Sequence, residues 1–240
     1  MRQSLVATTL ALGSVFVAGP CLSAADADAS PTGELRILLG MEPGYEVSEE
    51  AKAVDGSTTS YEWEGLDKDA GAVAVQYVTE FGNLSQVLGQ PIIGFEVLCS
   101  SAVLKPTGYT VDGGTYSNDN DEEFNYFAVT PTAVVGWRFA KPETSEVGAI
   151  GELQLLAGGT VVRGEVSDNS GASDTSLGFG FDVGARIVFG IKEGGWTGAV
   201  VGGARRGWAS IEMDREGSYT STLDLDRMGY ELMLAVGHSF

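Results

Sequence analysis

The chain has a single histidine, His238, and Ser239 follows it directly. A histidine beside a serine could be a base beside its nucleophile. In an extended segment, however, neighbouring side chains point to opposite faces, so this imidazole and hydroxyl cannot hydrogen-bond to each other. A second constellation, Asp119-Asn120-Asp121 followed by Glu122 and Glu123, has the oxygen ligands calcium takes. It lacks the glycine and the distal glutamate of an EF-hand loop and is expected to be a solvated loop. The third set is larger. Arg36, Glu42, Glu80, Glu96, Arg138, Glu152, Asp182, Arg186 and Glu231 each stand inside an otherwise apolar segment, at positions of the same parity as its small and polar residues. Charges so placed share one face. If that face is enclosed they must pair, because an unpaired buried ion costs several kcal/mol.

The elements that position them have a period of two, the side-chain period of a strand. In the first segment, Glu34 to Glu46, Leu35, Ile37, Leu39 and Met41 alternate with Arg36, Leu38, Gly40 and Glu42. Gly71 to Phe81 alternates Val73, Val75, Tyr77 and Phe81 with Ala72, Ala74, Gln76 and Glu80. Pro91 to Val103, Phe124 to Phe139 and Ala149 to Arg163 repeat the pattern, with Glu96 and Ser100, then Tyr126, Thr130, Thr132 and Arg138, then Glu152, Gln154 and Thr160 on the inward face. The sixth segment is the cleanest: Leu177, Phe179, Phe181, Val183, Ala185, Ile187, Phe189 and Ile191 oppose Gly178, Gly180, Asp182, Gly184, Arg186 and Gly190. Trp196 to Met213 is ambiguous, since glycine and alanine occupy both faces, and a bulge near Arg205-Arg206 is one solution. The eighth segment runs from about Leu225 to Phe240.

The spacers after segments two, four and six (Gly82 to Gln90, Ala140 to Gly148, Lys192 to Gly195) are short, while those after one, three, five and seven are longer, polar and acidic. Short turns at one end and long loops at the other suit a closed, antiparallel, up-and-down transmembrane β-barrel of eight strands. Trp137, Phe139, Phe189, Trp196 and Phe240 would form an aromatic girdle at the short-turn end, and Phe127, Phe179, Trp208 and Tyr230 one at the other. Ten strands stay open, because Val47 to Ala70 has room for a hairpin around Ser60 to Glu64; the preferred reading makes Tyr61-Glu62-Trp63 a continuation of segment two. The rival fold, a soluble sandwich or lipocalin-like barrel, would turn the apolar faces inward and leave glycines, glutamates and arginines as its surface.

The N-terminus reads as an export signal. Arg2 precedes an apolar run from Leu5 to Ala18, then come Gly19-Pro20 and small residues to Ala24. Cleavage after Ala24 is expected, with Ala27 and Ala29 as alternatives, which leaves a short segment, 25–33, before the barrel at 34–240. The run is too short for a spanning helix, and Pro20 before Cys21 is a poor lipobox. Cys99 is then the only cysteine, so no intramolecular disulfide can form. A net charge of −19 excludes nucleic acid as a partner. With 34 glycines, eight tyrosines, ten phenylalanines and only 20% charged residues, the composition suits a membrane barrel that hydropathy alone would miss.

The last eleven residues carry a resemblance. Tyr230, Leu232, Leu234, Val236, His238 and Phe240 share one face, with Glu231, Met233, Ala235, Gly237 and Ser239 on the other. This resembles the C-terminal assembly signal of bacterial outer-membrane β-barrels, which end in Phe with apolar residues at alternate positions. His238 stands where that family usually has Tyr or another aromatic. Over 34–240 the chain is similar to the small OmpA, OmpX and OmpW group. The resemblance implies a monomer in the outer membrane of a diderm bacterium, in contact with lipid and lipopolysaccharide and recognised by the barrel assembly machinery through its last strand. It also implies a structural or surface-interaction role, with a narrow channel for small or apolar solutes as the alternative. Enzymes among such barrels carry a catalytic histidine near the outer leaflet or extracellular rim. His238 lies at the other end, so no enzyme, cofactor or metal is expected.

Overall fold

The computed structural model describes residues 33–41, 45–64, 67–81, 89–112, 114–118, 122–140, 147–167, 173–215 and 219–240. The export signal, Glu42 and Asp119 to Asp121 lie outside them. Twelve strands follow in order: β1 (Gly33–Met41), β2 (Tyr45–Ala53), β3 (Thr58–Glu64), β4 (Asp67–Glu80), β5 (Gln90–Lys105), β6 (Gly108–Val111), β7 (Gly114–Ser117), β8 (Glu123–Ala140), β9 (Gly148–Ser167), β10 (Ser173–Glu193), β11 (Trp196–Arg215) and β12 (Tyr219–Ser239). Eight of them, β1-β4-β5-β8-β9-β10-β11-β12, form an antiparallel ring that the β1–β12 pairing closes. Closure pairs every ring strand on both sides over its lower part. Among the described residues, free edge segments occur only towards the long loops, where β10 and β11 run past their common ladder and β4 past its ladder with β1. It is held at the chain ends too: the Phe240 amide donates to the Gly33 carbonyl at 3.0 Å, and the Ser239 amide to that of Gly195 at 2.8 Å.

The remaining four strands stand above the ring at the long-loop end, in the order β12-β2-β3-β6-β7. The hairpin for which Val47 to Ala70 has room therefore exists, as β2 and β3, but it extends the wall instead of widening the ring. Only residues 65 and 66 separate β3 from β4, so Tyr61 to Trp63 does lead into the second ring strand. The strand ends reach further than the periodicity showed: β4 begins at Asp67 and β12 at Tyr219. No bulge occurs near Arg205-Arg206, since β11 keeps unbroken register with both neighbours through that stretch. The described bulge is elsewhere, between β8 and β9 at Arg138/Ala140.

Alternation is clean where both faces are described. Outward residues such as Leu39, Phe95, Val135, Leu155, Phe181, Ile187 and Leu234 are large, apolar and exposed. Inward residues include Arg36, Gln76, Glu96, Thr130, Glu152, Asp182 and Arg186, all nearly inaccessible. An apolar exterior around a charged interior inverts a water-soluble barrel and matches strands that cross lipid. Strands β9 to β12 are 20 or 21 residues long, about twice the 9–11 that a tilted strand needs to cross a bilayer. The surplus lies at the long-loop end, where outward positions become polar (Thr175, Glu212, Asp224).

Candidate functional site

The interior is the site to which the sequence pointed, and it is built in two tiers. The tier nearer the short turns centres on Glu152. Arg36 grips it bidentately, Nη1 to Oε2 and Nη2 to Oε1, both 2.7 Å, and gives its Nε to Glu34 at 2.7 Å. Arg138 donates Nε to Glu152 at 2.7 Å, Nη1 to Glu80 at 2.9 Å and Nη2 to Glu34 at 3.2 Å. Lys192 stands 3.9 Å from Glu34. Planar guanidinium forks suit such sharing, because each presents five donors in fixed directions.

The second tier centres on Glu96. Arg186 ion-pairs with it through Nη2, and Arg205 donates to it at 3.0 Å. Arg205 also lies 3.2 Å from Asp182 and 3.7 Å from Glu231, and Arg186 lies 3.8 Å from Glu231. Arg227 completes the tier by pairing with Asp182, with Ser100 at 3.3 Å. Two glutamines join the tiers. Gln154 donates to Glu152 at 2.7 Å and accepts from Arg186 at 2.8 Å, while Gln76 donates to Gln154 at 3.1 Å and Glu96 at 3.3 Å.

Of the nine charges singled out by sequence, eight are brought together here; Glu42 is outside the described residues. Sequence reasoning missed Glu34, Lys192, Arg205 and Arg227. With them, the described network sets six acids (Glu34, Glu80, Glu96, Glu152, Asp182 and Glu231) against six bases (Arg36, Arg138, Arg186, Arg205, Arg227 and Lys192), so it is formally neutral. The net charge of −19 therefore resides elsewhere on the chain.

Glycines make room for this packing. A Cβ at Gly237 would meet Arg36 Cγ at 2.7 Å, and one at Gly207 would meet Asp182 Oδ2 at 2.6 Å and Arg227 Nη2 at 2.9 Å. The inward glycines noted from sequence do something different. At Gly178 and Gly180 the space a Cβ needs is taken by the neighbouring strand's backbone, at Ser210 and Trp208, so these residues permit close strand approach.

Towards the long loops the filling changes character. Val47, Trp63, Leu104, Phe124, Tyr126, Val162, Val166, Ile211, Met213, Leu223 and Leu225 form one buried apolar cluster. Trp63 of β3 sets its ring edge-on to Phe124 at 6.3 Å and to Tyr109 at 5.9 Å. Most of the cluster sits on the outer parts of ring strands, where the inward parity turns apolar, and Val47 and Trp63 join it from the short strands β2 and β3 outside the ring.

The C-terminal face is outward as expected from its parity: Tyr230, Leu232, Leu234, Val236 and Phe240 are all more than half exposed. His238 is exposed and packs against Trp196, ring centroids 4.8 Å apart, while Phe240 stacks on Tyr77 at 6.2 Å. Among the described residues no group of three or more His, Cys, Asp or Glu side chains could hold a metal.

No protein-family model matches the sequence, and no curated protein matches it. Among solved structures the chain is similar to Ail, the attachment invasion locus protein of Yersinia pestis, at 17% identity and TM-score 0.33, covering 87% of this chain and 99% of that one. It is also similar to the outer membrane protease OmpT of Escherichia coli (8% identity, TM-score 0.42, 89% and 99% covered) and to Neisserial surface protein A (13%, 0.35, 87% and 97%). With values this low, the reading rests on the chain's own register and side chains.

Proposed function

We propose that this is an outer-membrane β-barrel of a diderm bacterium, exported through a cleaved signal, that serves a structural or surface-interaction role and does not conduct. One observation carries the reading: the bore is filled twice over, by a neutral ion-pair network at membrane depth and by an apolar core above it. An eight-stranded ring is only wide enough to be filled by side chains. Ions entering it would have to break buried pairs, at several kcal/mol each, and then cross an apolar plug.

What remains for function is the outer end. Glu46, Glu50, Asp55, Glu62, Glu64, Glu212, Asp224 and Asp226 stand there on or between paired strands, giving an acidic platform for cationic or divalent-bridged surface partners. Lipid and lipopolysaccharide surround the belt, and the assembly machinery reads the last strand. Planar-bilayer recording of the pure, folded protein tests the proposal. The expected result is no stable conductance; steps of porin size would overturn it in favour of a channel.

A further inference from the structure

We propose that a cleft between the outer ends of β10 and β11 binds an extended, basic peptide segment by strand addition. The starting observation is a break in pairing. Around the ring, β4–β5, β5–β8, β8–β9, β9–β10 and β11–β12 stay paired to within a residue of their described outer ends. The β10–β11 ladder stops early, at Gly178↔Ile211, although β10 continues out to Ser173 and β11 to Arg215. Residues 173–177 pair with β9 alone, and 212–215 with β12 alone. Two strand edges therefore face each other unpaired.

A cavity of about 470 Å³ lies in the gap, lined by Asp174, Thr175, Ser176, Leu177, Glu212, Met213 and Thr220. At its base the Ser176 hydroxyl donates to the Glu212 carbonyl, a side chain standing in where a ladder bond would be. Met213 belongs to the apolar plug, which separates the cleft from the charged interior. The cleft is thus a pocket in the wall and leads to no pore.

Free strand edges are satisfied by another strand, and main-chain bonding supplies affinity while alternate side chains supply selectivity. Selectivity here is for positive charge. Asp174 has inward parity on β10 and Glu212 is outward on β11, and continuing the β10–β11 register would place them three residues apart in level. Neighbouring side chains of an added strand point to opposite faces. A segment with two basic residues three positions apart therefore presents one to each carboxylate. This deepens the surface-interaction reading and rests on it, by naming the chemistry of the partner.

The test uses the folded full barrel in detergent and a labelled octapeptide of alternating valine and threonine with two lysines three apart, followed by fluorescence anisotropy. Binding is expected, and one of the two alternate-residue N-methylation patterns should weaken it at least about tenfold by removing strand bonds. Asp174→Asn with Glu212→Gln should weaken it roughly 3- to 10-fold, as should replacing the lysines by glutamates. Binding indifferent to both N-methylation patterns would be plain charge attraction and would overturn the proposal. So would no binding at all; a barrel that still fails to conduct in that case leaves the broader reading standing while the cleft falls.

Discussion

The two halves of the interior solve the same packing problem with opposite chemistry. At membrane depth arginines, glutamates and glutamines pair across the bore, with Leu38, Leu98, Ile150, Val188 and Met233 packed between them; above it the filling is apolar, from Trp63, Phe124, Ile211, Met213 and their neighbours. The lower half must point apolar side chains at lipid, so its inward face can carry charges as well as the apolar residues between them, and low dielectric forces those charges into pairs. The upper half meets water outside, so its apolar residues turn inward, as in a soluble domain. Period two is kept throughout, and the parity that counts as apolar reverses: on β12, Leu223 and Leu225 are buried on the parity of Glu231, whereas Leu232 and Leu234 are exposed on the other.

The largest effect should come from breaking the lower half. Arg36→Ala removes the bidentate partner of Glu152 and leaves that buried carboxylate with fewer counter-charges. A loss of about 3–5 kcal/mol is expected, read as a lower urea midpoint for the refolded barrel; an unchanged midpoint would remove Arg36 from the network. Arg186→Ala should behave similarly in the second tier, through Glu96.

Phe124→Ala attacks the upper half. Truncating a buried aromatic costs about 3–5 kcal/mol where the unit unfolds as a whole, but this cluster can loosen alone. The expected result is lost amide protection in β2, β3 and β6 with protection in the β1–β12 and β1–β4 ladders kept. Equal loss in both regions would make the interior one cooperative unit and end the distinction. The variant should also remain non-conducting, because the ion-pair tiers still fill the bore.

Gly237→Ala is a smaller probe of the same contrast. Its Cβ would press on Arg36 Cγ at 2.7 Å, and overpacking of this kind costs about 1–3 kcal/mol. Ala at Gly198, where a Cβ meets nothing within 4 Å, should leave the midpoint unchanged.

The ring and its charged face were legible because each ring strand repeats one pattern over many residues. What escaped did so for particular reasons. Arg205 hid in β11, where glycine and alanine on both faces erase the alternation; carrying the parity of Ile211 and Met213 back without a bulge would have placed it inside. Arg227 shares parity with Glu231 and could have been found, but it lies where the apolar parity is reversing. Gln76 and Gln154 share the inward parity but carry no formal charge, and in a sequence only charge marks a residue as needing a buried partner. Trp63 reads as part of a continuation of the second ring strand, but its burial in the plug is not legible, since β3 is seven residues long and its partners, β2 and β6, come from separate loops.

The smallest stability effect should fall at the chain end. Phe240 stacks on Tyr77 and its amide bonds to Gly33, so deleting it removes one hydrogen bond and an aromatic contact that is mostly exposed. Full burial of such a side chain is worth about 1.5–3 kcal/mol, and this ring is far from fully buried, so the urea midpoint should barely move. Assembly in cells should respond differently. A strand recognised by addition to a sheet edge is read through its alternate side chains, here Leu232, Leu234, Val236 and Phe240, all on the outward face. The deletion should refold into detergent yet accumulate poorly in the outer membrane, while His238→Tyr, which keeps an aromatic ring against Trp196, should insert at least as well as the parent chain. Heat-modifiable gel mobility on fractionated cells reads both, and normal outer-membrane levels for the deletion would show that the last strand assembles through its ladders to β1 and β11 without its terminal aromatic.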